Sequence, residues 1–181
     1  RLVTNLLEMA RLQAGGVTLH QDWLPADEVI GTAIAALGSV LDAHPLQLDI
    51  DPACPMLYGD AILLERLLVN LLENAAKYSP PGSPIRVSAA AEDGRILLRV
   101  ADRGPGLPPG DPARLFDAFS RGERESAISG VGLGLAICRT IADVHGARLS
   151  AANRHDGGAC FTLSLPLRPP PALDFDPENL P

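Results

Sequence analysis

Apolar residues recur along this chain in two rhythms, one every three to four positions and one every second position, and each predicts its own kind of element. The first rhythm opens the sequence. Residues 1–14, RLVTNLLEMARLQA, carry Leu2, Leu6 and Met9 with the adjacent Leu7 and Leu12 on one helical stripe, and Gly15-Gly16 stops it. Val17–Leu24 then reads as a strand, Asp27 as the cap of a helix running to about Leu41, and Leu46–Asp51 as a second strand. A long helix is predicted from about Asp60 to Tyr78. Its apolar face is Leu64, Leu67, Leu68, Leu71, Leu72 and Ala75, and Ser79-Pro80-Pro81-Gly82 ends it.

The second rhythm governs Ile85–Ala91 and Arg95–Asp102, two strands joined near Asp93-Gly94. A polar, Gly- and Pro-rich stretch from Gly104 to Gly130 follows, then a helix over Gly132–His145. A closing hairpin, Ala147–Asn153 and Ala159–Leu165, turns at Asp156-Gly157-Gly158. The tail after Arg168, PPPALDFDPENLP, has too little to bury and is expected to be disordered. This order predicts an α+β fold: a two-layer sandwich with a mixed, antiparallel-rich sheet and helices on one face. A dinucleotide-binding fold is excluded, because its glycine fingerprint must follow an early strand and open a helix, whereas here the glycines come after hairpin strands.

Composition narrows the possibilities. A chain of 181 residues holds one domain with a sizeable core. Its net charge of −7 argues against a nucleic-acid groove. No apolar run approaches the ~20 residues needed to span a bilayer, and no signal peptide opens the chain. Cys54, Cys138 and Cys160 form no CxxC pair and lie beside apolar neighbours, so they are expected to be small buried thiols in a reducing compartment. Arg1 rather than Met at the start implies a piece of a longer protein.

Three constellations carry candidate chemistry. In Asn70-Leu-Leu-Glu-Asn74-Ala-Ala-Lys77-Tyr78, steps of four and three put Asn70, Asn74 and Lys77 on one face, opposite the leucines. That face is either a solvated polar stripe or a ligand surface. Two asparagines one turn apart weaken a helix with no evident structural return. Lys77 is the single lysine among 15 basic residues, which points to a required ammonium, as in phosphate binding. Neutral amide oxygens also suit a hard cation that already carries phosphate ligands.

The second constellation is Asp102-Arg-Gly104-Pro-Gly106. Asp102 continues the parity of Ile96, Leu98 and Val100, so its carboxylate faces the core, where it costs free energy unless it meets a donor. It is either a turn cap or the floor of a ligand site, with glycines admitting a flat group to the backbone. The third is Gly130-Val-Gly132-Leu133-Gly134, which leads straight into a helix. That is either a hinge with tight packing or a phosphate cradle of helix N-terminal amides. Between them, Phe116 and Phe119 fall in an otherwise polar stretch that also holds Arg121 and Arg124. They form either a satellite core or the anchor of a lid whose arginine reaches a terminal phosphate.

In this order and spacing, the three motifs and the phenylalanine pair resemble the N, G1, F and G2 boxes of the histidine-kinase branch of the ATPase superfamily that includes gyrase, Hsp90 and MutL. The resemblance covers roughly residues 22–168. RGERESAISGVGLGLAICRTIADVHG and LLEMARLQAGG look most like potassium-responsive sensor kinases. It implies a Bergerat-type ATP-binding domain over 17–168, preceded at 1–16 by the end of a dimerisation and phosphoacceptor hairpin, with a tail at 169–181. It further implies that Asp102 accepts from the adenine amino group, with Gly104 and Gly106 shaping the floor. Asn74 would ligate Mg²⁺ with Asn70 in support, Lys77 would meet the phosphates and Tyr78 would lie near the adenine or ribose. Asn70, Lys77 and Arg121 would be the catalytic residues and Phe119 a cofactor contact anchoring the lid. Gly130, Gly132, Leu133 and Gly134 would line the phosphate chain, and Pro108–Ser129 would be a lid over ATP.

Three functions remain in competition: histidine kinase, ATP-hydrolysing machine of the same superfamily, and a nucleotide-sensing module. Hydrolysing members place a water-activating glutamate one turn before the metal asparagine. Here that place holds Asn70, which is no general base. None of the four histidines sits in an acceptor context. His20, His44, His145 and His155 are expected at the surface or in turns, so the acceptor helix must lie upstream. The implied partners are that hairpin, a response regulator and, in the full-length protein, a second subunit, on the cytoplasmic side of a membrane-anchored kinase. The piece itself is expected to be monomeric, with no nucleic-acid or membrane contact.

Overall fold

The computed structural model describes residues 18–117 and 133–169. The predicted helix over 1–14, the tail beyond 169 and the loop segment 118–132 lie outside the described residues.

Among the described residues, seven strands and three helices appear in the order β1 (Gln21–Leu24), α1 (Ala26–Leu37), β2 (Leu46–Ile50), β3 (Leu57–Asp60), α2 (Ala61–Tyr78), β4 (Ile85–Glu92), β5 (Arg95–Ala101), α3 (Gly134–Val144), β6 (Arg148–Asn153) and β7 (Ala159–Pro166). Strands β2-β4-β5-β7-β6 form one sheet, parallel between β2 and β4 and antiparallel elsewhere. A separate antiparallel pair joins β1 to β3.

Alternation decides which face is covered. Ile85, Val87, Ala89, Ile96, Leu98, Val100, Phe161, Leu163 and Leu165 point one way and are buried. Arg86, Ser88, Arg99, Thr162 and Ser164 occupy the alternate positions and retain exposure. The helices supply the other half of the core. On α2, Leu64, Leu67, Leu68, Leu71, Leu72 and Ala75 are buried, and α3 adds Ile137 and Ile141. Each such leucine contributes ~1.5–3 kcal/mol by leaving water, so this seam anchors both faces of the site described below.

Helix α2 starts where it does because Asp60 caps it, accepting from the Ile62 and Leu63 amides at 3.1 and 3.2 Å. The other carboxylate oxygen of Asp60 accepts from the His20 amide at 2.9 Å, tying β1 to this helix start.

Several local expectations are corrected. Strand β1 is shorter than 17–24, and Asp27 is not a cap. Pro25 holds the N-cap position without a side-chain bond, and Asp27 lies in the first turn, favoured there by the helix dipole. Gly38, at φ 49°, ends α1 early, and a 3₁₀ turn carries the chain over Gly38–Leu41. Strand β3 and the 3₁₀ turn Pro112–Phe116 were not expected. Both are too short to show a period, and β3 exists because β1 pairs with it. Helix α3 begins at Gly134, two residues after the predicted Gly132.

Candidate functional site

Helix α2 lies between the two halves of the site. At its middle, Asn70 donates to the Arg66 carbonyl at 3.0 Å, which fixes its amide. Its oxygen lies against the start of α3, where a Cβ added to Gly134 would be 3.2 Å from Asn70 Oδ1. At its far end, a Cβ on Gly104 would be 2.8 Å from the Tyr78 carbonyl oxygen, and the Arg103 amide reaches Ser79 Oγ at 3.3 Å. Asn70 and Tyr78 are eight residues apart, about 12 Å along the axis. The helix therefore brings the start of α3 to its middle and the Asp102–Gly104 segment to its far end.

Asp102 organises the segment at the Tyr78 end of α2. Its side chain faces the core as the strand parity required, with the residue 5% exposed. One oxygen takes both available donors: Oδ1 accepts from the Gly104 amide at 2.8 Å and the Ala159 amide at 3.1 Å. Oδ2 has no hydrogen-bond partner among the described residues. A buried carboxylate oxygen left over in this way is the acceptor a ligand N–H would complete.

The β6–β7 turn closes over the same segment, and sequence reasoning did not assign it a part in the site. Asn153 Oδ1 accepts from the Leu107 amide at 2.6 Å, and a Cβ on Gly106 would be 2.7 Å from that oxygen. Gly158, at φ 90°, lies so close that a Cβ there would collide with the Asp102 carbonyl. Arg154 Nη1 donates to that carbonyl at 2.9 Å. The Asp-Gly-Gly signal marked a turn, but nothing local indicated which segment it would meet.

Beside Asn70, Leu133 is buried and Gly134 opens α3. Asn74 is half-buried on α2, one turn from Asn70. Lys77 is exposed, and its ammonium rests over the Tyr78 ring, 4.9 Å from the centroid. Phe116 is buried edge-on against Phe161, with centroids 6.4 Å apart, and belongs to the main core. Phe119, Arg121, Gly130 and Gly132 lie outside the described residues, as does most of the predicted lid.

A family profile described as histidine kinase-, DNA gyrase B-, and HSP90-like ATPase matches residues 59–169. The chain belongs to that family. Over 180 residues it is 48% identical to sensor protein KdpD of Escherichia coli (strain K12), covering 99% of this chain and 20% of that protein. The chain spans about a fifth of the length of the curated KdpD relatives it matches. Among solved structures, the mycobacterial sensor histidine kinase MprB superposes with a TM-score of 0.72 at 29% identity, over 83% of this chain and 99% of that one. Full-length ShkA in complex with AMPPNP superposes with a TM-score of 0.79 at 27% identity, over 91% of this chain and 35% of that one. The α+β fold with helices on one face of a mixed sheet is therefore that of histidine kinase catalytic domains.

All four histidines lie where expected, at the surface or in turns, but two of them are buried. His145 is buried: Nδ1 donates to the Ile141 carbonyl at 2.7 Å, and Nε2 accepts from the Asp60 amide at 2.9 Å. It fastens the end of α3 to the cap of α2 in its neutral form, because only that form can accept. His44 is also buried, with Nδ1 3.1 Å from the Ser83 carbonyl oxygen. His20 and His155 are exposed as expected. Of the thiols, only Cys138 is fully buried, and burial pushes its pKa well up, while Cys54 and Cys160 keep partial exposure.

Proposed function

We propose that this chain is the ATP-binding catalytic unit of a two-component sensor histidine kinase of the KdpD type. The parent protein would transfer the γ-phosphoryl of Mg·ATP to a histidine upstream of these residues, for relay to an aspartate of a response regulator. The observation that carries the nucleotide reading is the buried Asp102, with Oδ1 doubly bonded and Oδ2 without a described partner, at the end of a helix whose other half presents Asn70 to Gly134.

The residues fit the group they would hold. Asp102 accepts from the amino group of adenine and rejects a carbonyl there. Gly104 and Gly106 shape the floor by letting this segment pack against Tyr78 and Asn153, where a side chain at either would collide. Asn70 and Asn74 offer hard amide oxygens for Mg²⁺, which when bound would supply charge neutralisation on the phosphates. Lys77 leaves the Tyr78 ring to meet phosphate at little cost, an exposed cation–π contact being worth only ~0.5–1 kcal/mol. Arg121 and Phe119, with Gly130 and Gly132, complete the phosphate and lid side of the proposal. Transfer is then a matter of positioning and charge.

Hydrolysis is the second reading, and Asn70 disfavours it: its amide is bonded to the Arg66 carbonyl and cannot take a proton from water. Potassium- or osmotic-stress signalling and a homodimeric, membrane-anchored parent with this unit on the cytoplasmic side rest on the KdpD likeness. Among the described residues no helix is long and apolar enough to cross a membrane.

The test has two arms. A fluorescent ATP analogue should bind residues 1–181 in a Mg²⁺-dependent way, without appreciable turnover or self-labelling from γ-labelled ATP. Supplying the upstream hairpin, in cis or in trans, should produce acid-labile, base-stable labelling. Self-labelling of the 181-residue chain alone, or brisk turnover, would refute the kinase assignment.

A further inference from the structure

Arg154 stands apart from every motif in the sequence, yet it touches the residue on which base recognition rests. Its side chain is 16% exposed. One nitrogen, Nη1, donates to the Asp102 carbonyl at 2.9 Å, and the other, Nη2, donates to Asp156 Oδ2 at 3.0 Å. Asp156 is held from its other side by Arg103, whose Nη1 lies 2.7 Å from the Asp156 carbonyl oxygen and 2.8 Å from Oδ2. Burial works against ionisation of Asp156, but the two guanidiniums and its hydrogen bonds outweigh it and hold the carboxyl below its ordinary range.

We infer that Arg154 is a positioning residue for nucleotide selection, acting through Asp102; this rests on the ATP-site reading above. The guanidinium fork locks the peptide after Asp102 from outside, while the Gly104 and Ala159 amides lock Oδ1 from inside. With the main chain and one carboxylate oxygen both fixed, the second oxygen holds a single direction without cost at the moment of binding. Asn153 pins the far end of the same loop through the Leu107 amide, so the β6–β7 turn braces the base floor at both ends. Arg154 touches no part of the proposed nucleotide, and its effect on selection is therefore indirect.

The consequence is a selectivity effect that general destabilisation would not produce. ATP presents an amino group to Asp102, whereas ITP presents a carbonyl, so only ATP profits from a correctly aimed oxygen. In the 181-residue chain, Arg154→Ala should weaken ATP binding about tenfold. ITP binding should stay within about twofold, so the ATP-to-ITP preference collapses. Asp156→Asn, on the exposed turn, should move the ratio the same way by less and covers the case in which Arg154→Ala fails to fold. Arg154→Lys keeps the charge but not the fork and should fall between parent and Ala. Asp102→Ala separates the two levels: it must erase the ratio if the base site is where we put it. An Asp102→Ala protein that kept the ratio would overturn the site itself, and this inference with it. If Asp102→Ala erases the ratio but Arg154→Ala and Asp156→Asn keep it, or lower both nucleotides equally, the inference alone is overturned.

Discussion

Replacing Asp102 separates its structural and recognition roles, because the two use different oxygens. Asp102→Ala removes the acceptor for the Gly104 and Ala159 amides at a position 5% exposed. Each unsatisfied amide costs about 1–3 kcal/mol, so roughly 2–6 kcal/mol of stability is at stake, against a typical domain total of about 5–15. Asp102→Asn is the sharper probe. Its side-chain oxygen can keep both amides in place, while an NH₂ replaces the second oxygen and opposes the adenine amino group donor to donor. Losing one hydrogen bond to a charged group costs about 1.5–3 kcal/mol, a tenfold to hundredfold fall in ATP affinity. Calorimetric titration with Mg·ATP, alongside thermal melts, measures both quantities on the same sample. Ala should lose stability and affinity together; Asn should melt near the parent and still bind poorly. An Asn variant that binds ATP within twofold of the parent would refute the assignment of Oδ2 to the base.

Asn74→Ala should abolish the Mg²⁺ dependence of nucleotide binding and Asn70→Ala should reduce it less, as read by titrating the metal at fixed analogue; equal responses in parent and both variants would place the metal elsewhere. His145→Ala should cost about 2–4 kcal/mol in denaturant melts by orphaning the buried Asp60 amide and opening space beside Gly59. A variant as stable as the parent would contradict the fastening role. With its thiol buried and its pKa raised, Cys138 should resist a thiol reagent until the protein unfolds, whereas Cys54 and Cys160 should react first. Uniform labelling of all three in the native protein would show that the α2–α3 seam opens readily.

Much of the fold was visible in the sequence because its elements are set by nearby residues. The leucine face of α2, the alternation of β4, β5 and β7, and the parity that turned Asp102 inward all follow from periods of 3.6 and 2. The candidate motifs were visible for the same reason, since their spacing is a helix or strand spacing. What stayed hidden depends on segments that meet only after folding. Ala159 reaches Asp102 across 57 residues and His145 reaches Asp60 across 85. No local pattern marks Arg154 as an Asp102 contact or His145 as a buried tie, and a histidine before a glycine looks like any turn. Strand β3 fails differently: four residues, Leu57–Asp60, are too few to display a rhythm.

Strand β7 comes last among the described strands but not at the rim of the sheet: it lies between β5 and β6. During synthesis, β5 is therefore finished long before its neighbour exists, and its unpaired edge is open to any other strand that passes. A ribosome stalled near residue 155 would hold a chain with all three described helices, an incomplete sheet and no closed floor beneath Asp102. A stop before Ala159 would thus be far from mild, since losing Ala159–Pro166 opens the middle of the sheet rather than trimming its border. Such products should be prone to pair with one another and to depend on chaperones, while the finished domain protects that edge within its own sheet.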